Sequence, residues 1–235
     1  MTLATPFSSP IPSKCLARKP RTEGDVSALH DLAEVLDGRP LPGVRMTETQ
    51  FHDWCDEDIR AEWIKGEVYL LAPPNIPHIR LNLWLCGLLE SIVQLDKSGY
   101  VLIEAQVRLA RLKERRNPDV VFVSRSRLQI IKQTYVDGAP DLIMEIVSPG
   151  SQARDWRYKY ASYERAGVRE YWVIDPQSEH VEAYALGKDA KFSVIREVDG
   201  KIKSKVMRPL YIRPSWLWQS PRPIYGVLLK ELGIR

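Results

Sequence analysis

The stretch Pro140–Pro176, PDLIMEIVSPGSQARDWRYKYASYERAGVREYWVIDP, decides how this chain is read. It opens with Asp141 to Val147 (DLIMEIV), an apolar run of strand length. Ser148, Pro149 and Gly150 break that run. Arg154 to Ala166 then reads as a helix, with Trp156, Tyr160 and Tyr163 at i, i+4 and i+7 spacing on the face turned toward a sheet. Tyr171 to Ile174 is a second strand, closed by Asp175 and Pro176. Strands interleaved with helices predict a mixed α/β fold with one central sheet.

Reading outward supports that class. Pro118 and Asp119 open a short buried strand, Val120–Val123, and Tyr100 to Leu112 alternates as another. His78 to Leu95 runs as a long helix with Leu81, Leu85, Leu88, Leu89 and Ile92 as its buried stripe. Ala61 to Leu71 predicts two short strands turning at Lys65-Gly66. Thr47 and Gln50 form a capping-box pattern leading into Phe51 and Trp54. An earlier short helix carries Val26, Leu29, Leu32, Ala33 and Leu36, with Asp25 as its cap and Gly38 and Pro40 as its end. Downstream, Val181–Leu186 and Phe192–Arg196 alternate as further strands. The expected organisation is a flexible lead with one short helix over 1–45, a compact domain over 46–220, and a tail over 221–235.

The 235 residues suffice for one sizeable core, and no apolar run is long enough to span a bilayer. Cys15, Cys55 and Cys86 are odd in number and far apart, which argues against a disulfide framework or a cysteine zinc site and predicts a cytoplasmic location. Net charge is only +4, yet it is uneven. Arg108, Arg111, Lys113, Arg115, Arg116, Arg125, Arg127 and Lys132 face only Glu114 and Asp119 in their segment. Lys201, Lys203, Lys205, Arg208 and Arg213 follow with no acid among them. Such clustering suits either a polyanionic partner or a plain solvated surface.

Two carboxylates stand out against apolar strands. Glu145 shares a strand face with Ile143 and Val147, where an isolated charge is costly, so it needs an arginine partner or a metal. A divalent cation with hard oxygen ligands would satisfy Glu145 and Asp119 together, as magnesium does through one or two carboxylates with phosphate and water. Lys159 lies at the margin of the helix's aromatic stripe. It serves either a surface pair with Asp155 or, by running its stem along that stripe, the end of the Glu145 strand.

Glu67 in KGEVYLL, His78 after the proline-rich turn, RNPDVVFV and the long stretch from Pro140 to Pro176 resemble the Uma family of restriction endonucleases, within the PD-(D/E)XK nuclease superfamily. The resemblance covers roughly Thr47 to Leu217. It implies a restriction-endonuclease-like core, a central mixed sheet flanked by helices with extra antiparallel strands. It also implies Asp119 and Glu145 as the motif acids that hold Mg2+ or Mn2+. The superfamily's usual lysine position, two residues after the glutamate, is Val147 here, and Lys159 matches the family's substitute. Glu67 and His78 match further catalytic positions, with Asp155 and Gln106 in support. The implied activity is a metal-dependent DNA endonuclease acting as a homodimer, with Arg115, Arg116, Arg154 and Lys203 as phosphate contacts. A catalytically weak nucleic-acid-binding protein on the same fold, or a hydrolase of another phosphodiester, are the alternatives. A protein that only binds has no need of Asp119, Glu145 and Lys159 together.

Overall fold

The computed structural model describes residues 23–36, 38–55, 58–147 and 154–234, without the side chains of Glu23 and residues 154–156. The lead before Glu23 with Cys15, the Ser148–Gly150 break, and the side chains of Arg154, Asp155 and Trp156 lie outside the described residues. The chain divides into two compact units, Met1–Pro73 and Pro74–Arg235.

In the first unit, α1 (Glu23–Leu36) and α2 (Glu48–Trp54) accompany a hairpin of β1 (Ala61–Ile64) and β2 (Glu67–Leu70). The helix at 23–36 begins two residues before Asp25, which therefore lies in its first turn, where an acid favours the helix dipole, rather than at its cap. The expected capping box is formed: Thr47 and Gln50 satisfy each other's backbone amides. Lys65 and Gly66 both take positive φ, 52° and 96°, which suits the tight turn of a twisted hairpin. Ala33 and Leu36 pack with Phe51, Trp54 and Val68 in one cluster. Shared burial is why the early helix belongs with the hairpin instead of a loose lead.

The second unit begins with α3 (Ile76–Asp96), capped by the Asn75 side chain, which accepts from the His78 amide at 2.9 Å. Its strands are β3 (Gly99–Ile103), β4 (Val107–Leu109), β5 (Glu114–Arg116), β6 (Val120–Ser124), β7 (Val136–Asp137) and β8 (Leu142–Ile146). Helix α4 (Arg154–Ala166) follows, then β9 (Glu170–Asp175), β10 (His180–Leu186), β11 (Phe192–Val194), β12 (Ile202–Lys203) and β13 (Tyr211–Ile212). Two short helices, α5 (Pro214–Trp218) and α6 (Tyr225–Glu231), end the described chain.

Among the described residues, one mixed sheet runs in the order β11-β10-β9-β8-β6-β3. Within that sheet, β8 and β9 pair in parallel, and α4 is the crossover that parallel neighbours require. Strand alternation divides the core in two. Val120, Phe122, Leu142, Met144, Ile146, Trp172 and Ile174 face the stripe of α3, with Leu81, Leu85, Leu88, Leu89 and Ile92 all 0–1% exposed. Val121, Val123, Ile143, Tyr171 and Val173 face Tyr163 of α4. The expected long strand over 100–112 is broken at Glu104, whose φ of 49° turns the corner between β3 and β4. Beyond that corner β4 pairs with β5 and β7 instead of continuing in the central sheet. The expected tail carries α6, whose Leu228 and flanking Leu232 are buried in the α3 core. Gly87 makes room for that packing: a Cβ there would lie 2.3 Å from the Tyr225 hydroxyl.

Candidate active site

The antiparallel register of β6 and β8 pairs Val120 with Met144. One step outward, the same register sets Asp119 opposite Glu145, at the end of the sheet where β6 begins and β8 finishes. Asp119 Oδ2 accepts the amide of Ile146 at 2.7 Å, so the carboxylate takes the place of the next ladder carbonyl. Its Oδ1 lies 3.0 Å from Nε2 of His78, presented from the first turn of α3. Nδ1 of that ring is buried and has no hydrogen-bond partner among the described residues.

Glu145 is met by side chains of α4. Its Oε2 accepts from Lys159 Nζ at 3.0 Å and its Oε1 from the Tyr163 hydroxyl at 2.7 Å. Glu145 and Lys159 are 7% and 8% exposed. Strand alternation asked for a partner for this buried acid, and α4 supplies a lysine. The long stem of Lys159 lets an ammonium on the margin of a helix reach the neighbouring strand. Tyr163 is the member of the group that sequence reasoning left in the core: its spacing marked a buried face, and nothing in the sequence aimed its hydroxyl.

Glu104 is a second residue that sequence reasoning missed. Ile103 pairs with Val120, and the Glu104 amide donates to the Asp119 carbonyl at 3.0 Å. Glu104, Asp119 and Glu145 thus occupy one row across β3, β6 and β8, with Glu104 exposed. The thiol of Cys86 on α3 reports the resulting field. Burial, and after it the charges of Asp119, Glu104 and Glu90, push its pKa up to about 12. Among the described residues, no three His, Cys, Asp or Glu side chains gather into a preformed metal cage.

Of the remaining expected residues, Glu67, Gln106, Arg115 and Arg116 are engaged by partners of their own. Glu67 belongs to the first unit, where Arg45 Nη1 lies 3.3 Å from Oε1 and the Tyr69 hydroxyl donates to Oε2 at 2.9 Å. Gln106 turns its side chain to Arg115, whose Nη1 donates to Oε1 at 2.6 Å. Arg115 and Arg116, read from the sequence as phosphate contacts, are interior residues, 5% and 2% exposed. Arg115 lies over the Tyr135 ring at 4.8 Å, and Arg116 pairs with Glu114 at 3.0 Å and donates to Ser162 at 3.2 Å. All three residues of β5 are buried, and desolvated charges are tolerated there because they are paired. The basic run around them is further reduced by Arg108–Asp137 and Arg127–Asp141 pairs. Lys203 stands exposed on β12.

The Uma2 family, described as "Putative restriction endonuclease", matches residues 49–203. No curated protein matches the chain significantly. Among solved structures, the crystal structure of "a putative nuclease" from Anabaena variabilis ATCC 29413 is similar, with 20% identity and a TM-score of 0.61 over 74% of this chain and 97% of that one. That likeness shows a shared fold. The family match covers more than half of the sequence and runs through Asp119, Glu145 and Lys159, and this chain belongs to the Uma2 family.

Proposed function

We propose that the chain is a metal-dependent endonuclease hydrolysing DNA phosphodiester bonds, with Mg2+ or Mn2+ held by Asp119 and Glu145. The observation that carries this reading is the buried Glu145, opposite Asp119 in register, with the Lys159 ammonium 3.0 Å from its carboxylate. The donor set fits the ion: two hard carboxylates from adjacent strands, with water and phosphate completing the shell, is a usual way of binding Mg2+. A preformed cage of three side chains is not needed for that mode.

When bound, the cation supplies charge neutralisation at a scissile phosphate and a bound water of lowered pKa. Lys159, anchored on Oε2 of Glu145, places its ammonium charge where negative charge grows on the phosphate oxygens. His78 orients Asp119 by occupying Oδ1, and the Ile146 amide fixes Oδ2. Lys203, with Lys205 and Arg208 nearby in the chain and likewise exposed, offers phosphate contacts outside the core. Two copies acting together would cut both strands of a duplex. Among the described residues no helix is long and apolar enough to cross a membrane, and a cytoplasmic site of action suits a DNA substrate.

The test is cleavage of single-stranded, duplex and branched DNA with Mg2+ or Mn2+, comparing wild type with Glu145→Ala and Lys159→Ala. Each variant is expected to lose about 100-fold or more in rate, the scale on which a preorganised charge-stabilising group acts. Unchanged cleavage in both variants would sink the assignment, and DNA binding without cleavage under every metal would favour a purely binding role.

A further inference from the structure

We infer that Tyr163 is a positioning residue of this site, its phenol fixing the plane of the Glu145 carboxylate so that the acid meets a divalent cation in one orientation. The inference rests on the metal-dependent reading above and names a residue that reading does not use.

Helix α4 offers Glu145 two donors four residues apart, hence on one face. They bind separate oxygens: Lys159 Nζ at Oε2, 3.0 Å, and Tyr163 Oη at Oε1, 2.7 Å. The division matters because the last torsion of a glutamate is broad and roughly two-fold. A single donor leaves the carboxylate plane loosely set, whereas one donor on each oxygen defines it.

The two donors also differ in stiffness. Lys159 brings its charge on a flexible four-carbon stem. Tyr163 is 0% exposed, and its ring stands edge-on to Tyr171 with centroids 5.1 Å apart at 68°. Tyr171 is itself packed against both Tyr184 and Phe192, with centroids 6.3 and 6.2 Å away. The hydroxyl is therefore placed by the aromatic core, independently of the bond that it makes. A phenylalanine would fill the same ring site, so packing accounts for the ring but not for the bond that the hydroxyl makes to Glu145.

This division of labour answers a departure in the sequence. A lysine two residues after the glutamate would be held by the same strand, but that position is Val147. With the lysine arriving from a helix, the rigidity that a strand would have lent comes from the neighbouring phenol. Groups that orient metal ligands in this way typically change metal affinity about 10- to 100-fold when removed.

The test uses the full chain. Mn2+ binding is followed by calorimetry and by its electron-spin signal for wild type, Tyr163→Phe and Glu145→Ala, beside thermal melts and the metal dependence of DNA cleavage. Tyr163→Phe is expected to melt close to wild type while binding Mn2+ about 10-fold more weakly. It should also need correspondingly more metal for half-maximal cleavage, and recover most of its rate at saturating metal. Wild-type affinity in a folded Tyr163→Phe protein overturns the positioning role and leaves the nuclease reading intact. A wild-type chain that binds no divalent cation overturns the metal-dependent reading and, with it, this inference. Should the variant not fold, wild-type protein labelled at the tyrosine Cζ answers instead. Mg2+ should then shift a buried tyrosine signal, and no shift in any of them overturns the role.

Discussion

Asp119 has two duties, and substitutions should separate them. Its Oδ2 closes the ladder at the Ile146 amide, while Oδ1 holds His78. Asp119→Ala leaves a buried amide without its acceptor, which costs about 1–3 kcal/mol. Asp119→Asn keeps an amide oxygen for that N–H while removing the charge. Chemical denaturation should therefore find the alanine variant clearly less stable than the asparagine variant, with cleavage lost in both. Equal stabilities would mean that the carboxylate is not satisfying the strand end. The need of Glu145 for a partner was legible because an acid within DLIMEIV had to be compensated. The identity of its second partner was not, because a tyrosine at helical core spacing carries no sign of where its hydroxyl points.

At the scale of the element, β5 shows how a charged segment becomes interior. Glu-Arg-Arg at 114–116 reads as surface by composition, yet all three residues are buried and paired. Removing one partner of a buried pair costs about 3–5 kcal/mol, so Arg116→Ala should be strongly destabilising in urea titration. Any residual DNA binding should keep the wild-type salt slope. Lys203 on the exposed β12 should behave in the opposite way: Lys203→Ala leaves stability unchanged and lowers the salt slope of DNA binding by about 0.9, the loss of one phosphate contact. A salt slope that moves with Arg116 and not with Lys203 would reverse these assignments. Local sequence cannot separate such residues, because exposure is decided by what packs over a strand.

For the molecule as a whole, Asp141 ties the N-terminal end of β8 to three other segments. It is 0% exposed, accepts the Ser124 amide at 2.9 Å, and meets Arg127 and Arg169 at 3.0 and 2.9 Å. Burial alone would raise its carboxyl, but the amide and the two guanidinium groups more than offset this and hold it below the usual carboxylate range. A depressed folded pKa means that the stabilisation is fully present above the unfolded value, about 3.9, and is lost as pH falls through the folded one. Wild-type stability should therefore fall with acid in that window. Asp141→Asn should be less stable at neutral pH but show a shallower acid dependence; parallel pH curves for the two proteins would remove Asp141 from the acid response.

What the sequence determined by itself is periodicity and its punctuation. The hairpin at Lys65-Gly66, the capping box at Thr47, the leucine stripe of α3 and the strand–helix–strand of 141–175 all follow from local pattern, and they fix the mixed α/β class. The same alternation marked Glu145 as an acid in need of compensation, and the resemblance to the Uma family matched Asp119 to the motif aspartate. Tertiary structure alone decided the rest. Register brought Glu104 into a row with both acids, and burial removed Arg115 and Arg116 from the surface. The crossover helix laid Lys159 and Tyr163 against one carboxylate. The physical reason is range: propensity and periodicity act over a few residues, while the partners of Glu145 stand 14 and 18 residues away and meet it only once α4 packs on the sheet.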